Sequence, residues 1–264
     1  MRRLIALGLI VLGLSACATG TPTGGSAQAL VDRSTLAVQE LLGGDADVLN
    51  AAALLRTAQA VMVCPRVFRA AFIAGGEGGD CVLLGRDGAG SWSSPAFYAL
   101  GSGNIGLQAG IQDAQTLLII RSERALNAIL NGQFKFGADA SLAFATLGGS
   151  VEGATTTNLG ADIVAVSRAR GLFAGLALEG TVLQARPEWN QAYYGRDLTA
   201  RQIVVNMAAH NPGADPLRAI LTRFGSGTPR TAQASTPASA PAAQSAPAAT
   251  AGQVSRAALP PVAR

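Results

Sequence analysis

The chain has 264 residues, 49% of them hydrophobic and 14% charged, and carries a formal net charge of +4. A chain this apolar can offset its ordering entropy by burial, so disorder throughout is excluded, and the length holds one large domain or two small ones. The 32 glycines follow no G-X-Y period, which excludes collagen and points to tight turns between closely packed strands.

The positive charge is peripheral. Of the 20 basic residues, Arg2 and Arg3 lie in the leader and Arg230, Arg256 and Arg264 in the tail, which leaves 15 against 16 acidic residues. A body this close to neutrality gives no broad footprint for nucleic acid.

Met1-Arg2-Arg3 is a positive start, and Leu4 to Ala16 is an uncharged run. As a helix this run spans about 20 Å, short of the roughly 30 Å of a bilayer core, so it predicts a secretory leader and not a membrane span. The leader ends in Leu14-Ser15-Ala16-Cys17, which resembles the lipobox of bacterial lipoproteins. That resemblance implies cleavage before Cys17, acylation of its thiol, and anchoring by buried methylenes. Ala18 in place of Asp implies, by the same resemblance, sorting to the outer membrane. The expected organisation is a leader over 1–17, a flexible tether over 18–26, a folded domain over 27–225 and an Ala/Pro-rich disordered tail over 226–264.

Cys64 and Cys81 then remain as a pair in an oxidising compartment. Two readings stay open: a disulfide closing a short loop, or two buried small hydrophobes. With one histidine in the chain and no C-x-x-C, no structural metal site is expected.

Within the domain, residues 27–42 read as a helix closed by Gly43-Gly44. Asp45 or Asp47 can cap a second helix. From Val61 the texture is strand-like: Val61–Cys64, Val67–Ala74, Cys81–Gly85, Ala96–Leu100, Ile105–Ala109 and Thr116–Arg121, with residues 75–79 and Asp87-Gly88 as turns. Ser122 caps a helix that Gly132 ends. Residues 136–144 alternate with a period of two, and Leu172–Leu183 reads as a further strand. Pro187, Thr199 and Pro216 open three short helices. The fold class expected is α+β, with a curved antiparallel sheet or partly closed barrel packed by short N- and C-terminal helices.

Recognisable chemistry is sparse. Gly101-Ser102-Gly103-Asn104-Ile105-Gly106 matches G-x-G-x-x-G, but the sequence continues as a strand where the dinucleotide fingerprint needs a helix, so no nucleotide is expected. The cluster at 75–79 lacks the Gly-Lys-Ser/Thr ending of a P-loop. His210 stands near a helix end with no G-x-S-x-G elbow upstream. The chain reads as non-catalytic and without a cofactor.

Six blocks are more specific: Val61-Met62-Val63-Cys64-Pro65-Arg66-Val67, Ser91 through Tyr98, Gly106-Leu107-Gln108-Ala109-Gly110, Phe134 through Ser141, Ser167 through Gly175, and Ala192-Tyr193-Tyr194-Gly195. In order and spacing they resemble the SYLF domain family. Eukaryotic members carry the domain beside SH3 or FYVE modules and are associated with phosphoinositide membranes and actin patches. Bacterial members are commonly lipoproteins described as lipid-binding. The resemblance implies a phospholipid membrane as partner, and Arg121, Arg124, Lys135, Arg168 and Arg170 are the candidate headgroup contacts. The alternative for these side chains is a set of solvated or salt-bridged arginines. The alternative for the whole chain is a structural lipoprotein that recruits another envelope protein without specific lipid recognition. The sequence departs from the family pattern at Cys64, and Lys135 is the one lysine of its body.

Overall fold

A computed structural model describes residues 22–43, 47–72, 74–105, 110–146, 160–171 and 180–226. The leader, Cys17, residues 18–21 of the tether, nearly all of the tail and the greater part of the strands expected over 105–109 and 172–183 lie outside these residues.

Helix α1 (Gly24–Leu42) starts inside the stretch expected to be tether. Thr23 sets its start: the Thr23 hydroxyl accepts from the Ser26 backbone N–H and the Ser26 hydroxyl accepts from that of Thr23, a reciprocal cap. Helix α2 (Asp47–Arg56) follows, and then strands β1 (Ala60–Ala71), β2 (Ala74–Gly85), β3 (Ala96–Ile105) and β4 (Gly110–Ile120). Helix α3 (Glu123–Leu130), capped by Ser122, leads to β5 (Gln133–Lys135), β6 (Leu142–Thr146), β7 (Ile163–Gly171) and β8 (Val182–Ala185). Helices α4 (Pro187–Tyr194), α5 (Ala200–Val204) and α6 (Asp215–Gly225) complete the described domain.

The eight described strands form one curled sheet, a half-barrel, in the order β5-β8-β3-β2-β1-β4-β7-β6. Every pair is antiparallel except β6 with β7, which is parallel, so the α+β expectation stands with a mixed sheet. Two cores sandwich it. Val61, Val63, Val82, Leu84, Leu117, Ile119, Val164 and Val166 pack under α1, α2 and α6. The alternate residues Met62, Cys64, Cys81, Leu83, Leu118, Ile120 and Ala165 meet Ile129 of α3, Phe134, Phe136 and Ile203 of α5. Two buried faces explain why these strands read as continuous apolar runs and not as alternation.

Three local expectations are corrected. The strands expected separately over 61–64 and 67–74 join as β1, which ends at Ala71, while Ala74 opens β2. They join because Pro65-Arg66 form a β-bulge: the register slips by one residue between Val63 and Phe68 against β2, and between Cys64 and Val67 against β4. Proline, which donates nothing to a ladder, is tolerated there.

The glycines at 75–79 are not a turn but strand residues of β2: Gly75, Gly76 and Gly78 are paired on both sides, and Gly79, opposite the bulge, is in register with Leu100 of β3. A Cβ on Gly79 would run into the carbonyl oxygen of Arg66, so this glycine makes room for the bulge. Gly79→Ala is expected to lower stability by about 1–2 kcal/mol, read as a reduced denaturant midpoint at unchanged slope.

The alternation expected over 136–144 is interrupted at residues 137–139. Gly137 has φ +83°, and the Asp139 carboxylate accepts from the Lys135 backbone N–H at 2.6 Å. The turn chemistry outweighs the period-two pattern.

Cys64 and Cys81 are joined by a disulfide between β1 and β2, beside the bulge, with both residues fully buried.

Candidate functional site

Beyond the bulge the two sheet faces diverge. On the face away from α1, Val67 and Ala114 stay in the core, and Glu77 and Gln112 remain buried. On the α1 face, core burial ends at Val63, Val82, Leu117 and Val166. The sheet runs on uncovered: Phe68 is 42% exposed, Ile111 60%, and Phe72, where β1 ends, 72%. A wetted face of an antiparallel sheet is expected to be polar. This one presents large apolar side chains.

Two grooves, of about 390 and 340 Å³, lie between α1 and the bulge and share Arg33, Pro65 and Arg66. The first adds Leu30, Phe68 and Asp80. The second adds Leu36, 58% exposed, with Glu40, Asp113, Gln115 and Arg168. Arg66 donates from Nε to Asp113 at 2.6 Å and lies 5.6 Å over the Phe68 ring. Asp80 is taken up by Arg186 at 3.0 Å. Among the described residues Arg33 and Arg168 make no ion pair or side-chain hydrogen bond, and neither does Glu40. Two uncommitted guanidinium groups therefore face this groove against one uncommitted carboxylate, which makes it a site for an anionic group beside apolar surface.

The five basic residues singled out from the sequence are not brought together. Arg168 lines the second groove, and Arg170 pairs in register with Asp113 on the neighbouring strand. Lys135 is on β5, at the far edge of the sheet. Arg121 and Arg124 stand at the opposite end of β4. There Arg124 donates to Asp162 at 2.6 Å and Arg121 reaches the Ala161 carbonyl. The Asp162 carboxylate also accepts from the hydroxyls of Ser122 and Ser141 and from the Ser141 backbone N–H. The Ser122 hydroxyl bond first, and then those from Ser141 and Arg124, hold its carboxyl well below the usual range against the opposing effect of burial.

Sequence reasoning missed Arg33, Leu36, Arg66, Phe68, Phe72 and Ile111. One signal was present: Phe68 and Phe72, an even four residues apart, follow Pro65, and a bulge there turns both to a new outward face. His210 Nε2 stands 3.8 Å from Asp215 at the surface. Among the described residues no group of three His, Cys, Asp or Glu could hold a metal ion, and no helix is long and apolar enough to cross a membrane.

A half-barrel α+β domain with a cationic groove beside an exposed apolar sheet end is the class defined so far. Residues 101–224 match the family model described as Ysc84, Las17-binding protein actin regulator, so this part of the chain is similar to a Ysc84 (SYLF) family domain. It is similar to Protein YSC84 of Saccharomyces cerevisiae, 32% identical over 158 residues, covering 59% of this chain and 34% of the relative. Similarity to SH3 domain-containing YSC84-like protein 1 of Mus musculus is 30% over 159 residues, covering 60% and 47%. For SH3 domain-containing protein PJ696.02 of Schizosaccharomyces pombe it is 31% over 163 residues, covering 61% and 38%. The chain thus spans about a third to a half of the length of these relatives. Within the grooves, Asp113, Gln115 and Arg168 fall inside the family match, whereas Arg33, Pro65 and Arg66 precede it.

Proposed function

We propose that this chain is an exported lipoprotein, acylated at Cys17 and held on the periplasmic face of a bacterial outer membrane, whose domain binds anionic phospholipid without catalysing a reaction. The observation that carries the binding is the pairing of uncommitted Arg33 and Arg168 in one groove with exposed Leu36, next to a second groove that shares Arg33 and is lined by exposed Phe68. Guanidinium groups suit phosphate and the apolar rim suits the acyl boundary beneath it. The bonded Cys64–Cys81 pair supports export, since such bonds persist in oxidising compartments. The family description, which names Las17 binding, favours a second reading, recruitment of a protein partner. Its mark is a pull-down that is lost on truncation after Gly225 while vesicle binding is kept.

Flotation of the Cys17→Ser chain with vesicles tests the first reading. Recovery with phosphatidylglycerol-containing vesicles is expected to exceed that with neutral ones and to fall as salt rises. An Arg33→Glu/Arg168→Glu variant is expected to bind roughly tenfold more weakly or worse. Equal recovery with neutral and anionic vesicles overturns it. Intact mass of the cell-extracted chain tests the anchor: an uncut leader without an acyl adduct removes it.

A further inference from the structure

On the α1 face the uncovered part of β1, from Arg66 to Ala71, runs about 17 Å at the usual rise per residue. Its α1 face is unusual in composition. Phe68 and Ala70 lie opposite Gly78 and Gly76 of β2, and these lie opposite Gly101 and Gly103 of β3. On the other side Ala70 faces Ile111 of β4. The outcome is a flat block of four glycines beside exposed Phe68, Ile111 and Phe72.

Packing within the chain does not account for this flatness everywhere. A Cβ would meet only ordinary contact distances at Gly78 and Gly101, and at Gly103 nothing within 4 Å. None of the four has a positive φ that would exclude other residues.

We propose that this bare sheet end is the part of the domain that enters the acyl boundary of an anionic bilayer, with Arg33, Arg66 and Arg168 bordering it at headgroup depth. The inference rests on the phospholipid reading above and goes further by fixing which surface inserts and in what orientation. Two observations select a bilayer over other occupants. The first is charge: the apolar face is bordered on its α1 side by the arginine-lined grooves, so apolar surface and cations are ordered as the acyl and phosphate layers of a membrane are. The second is reach. Gly24 at the start of α1 lies seven positions after Cys17, a span of at most about 25 Å. An anchor at Cys17 holds the start of α1 within that distance of the membrane, and Leu30 and Arg33 of this helix line the groove that meets Phe68.

The open space at Gly103 gives a test that leaves the fold alone. Gly103→Glu places a carboxylate on the proposed inserting face. Gly88→Glu makes the same charge change in the turn beyond the other end of β2, where a Cβ also meets nothing within 4 Å. Both are made in the Cys17→Ser chain and floated with mixed phosphatidylethanolamine/phosphatidylglycerol vesicles. Gly103→Glu is expected to weaken recovery by about tenfold or more while Gly88→Glu stays near the parent. In parallel, Ile111→Trp is expected to give a blue-shifted emission, relative to the parent spectrum, that brominated acyl chains quench. If the parent binds anionic vesicles but Gly103→Glu binds equally and Trp at 111 is neither shifted nor quenched, the insertion surface is wrong and the phospholipid reading survives. If the parent binds no vesicles, both fall. If Gly103→Glu instead converts an oligomer into a monomer without changing vesicle binding, the face belongs to a second copy of the chain and the inference is overturned.

Discussion

Replacing both Cys64 and Cys81 with alanine is expected to lower the stability of the domain by about 3 kcal/mol and its unfolding midpoint by about 6–12 °C. The two residues are 17 apart in sequence, so the bond removes the closure freedom of a short loop from the unfolded chain. Its position adds to the effect. Cys64 immediately precedes Pro65-Arg66, and Cys81 immediately follows Asp80, so the bond staples together the two stretches that form the sheet wall of the first groove. Both sulfurs are buried among Met62, Leu83 and Tyr98, which shields the bond from thiols while the sheet is closed. Reductant added to native protein is therefore expected to leave the midpoint unchanged at short times, and reductant present during unfolding to reproduce the alanine variant. Thermal melts of the two proteins with and without reductant read this directly. A variant melting within about 2 °C of the parent would mean that the bulge is held by the ladder alone.

The sequence made the elements legible where one signal acted locally. Ser122 before an apolar-periodic run, Pro187 at a helix start and the Gly43 stop each named a boundary through the chemistry of one or two residues. It misled where a strand departed from regularity. Pro65 reads as a break in any single-strand view, and the tolerance of a bulge appears only when β2 and β4 lie alongside. Glycines 75–79 read as a turn because flexibility is what glycine offers in isolation. Their use here, giving way to the Arg66 carbonyl and leaving a flat outer face, depends on neighbours that are far away in sequence. The same limit governed the site. Arg168 could be singled out from its motif block, but Arg33 and Arg66 gain meaning only from the packing of α1 across the bulge. Arg124 had equal weight in the sequence and is engaged by Asp162 in the fold.

Asp162 is the residue whose loss should cost most after the disulfide. Its carboxylate receives the Ser122 hydroxyl at 2.7 Å, the Ser141 hydroxyl at 2.8 Å, the Ser141 backbone N–H at 3.0 Å and Arg124 at 2.6 Å. Its side chain is only 14% exposed. These contacts tie the β4–α3 junction to the start of the parallel β6–β7 pair, and Ser122 is also the cap of α3. Hydrogen bonds to a charged acceptor contribute about 1.5–3 kcal/mol each when measured singly and do not add, so Asp162→Ala is expected to cost about 3 kcal/mol at neutral pH. Asp162→Asn keeps the shape, but its amide nitrogen donates where a carboxylate oxygen accepted, so it should be nearly as unstable. The pH dependence separates charge from shape. Because folding depresses this carboxyl, its contribution is complete above the ordinary aspartate pKa of about 4 and is lost as pH falls toward the depressed folded value. The stability gap between parent and Asp162→Asn should therefore be widest above about pH 5 and narrow steadily below pH 4. Denaturant midpoints across that range measure it. A gap that stays constant down to pH 2 would mean that the node is held by packing and by the serine hydroxyls, with the negative charge contributing nothing.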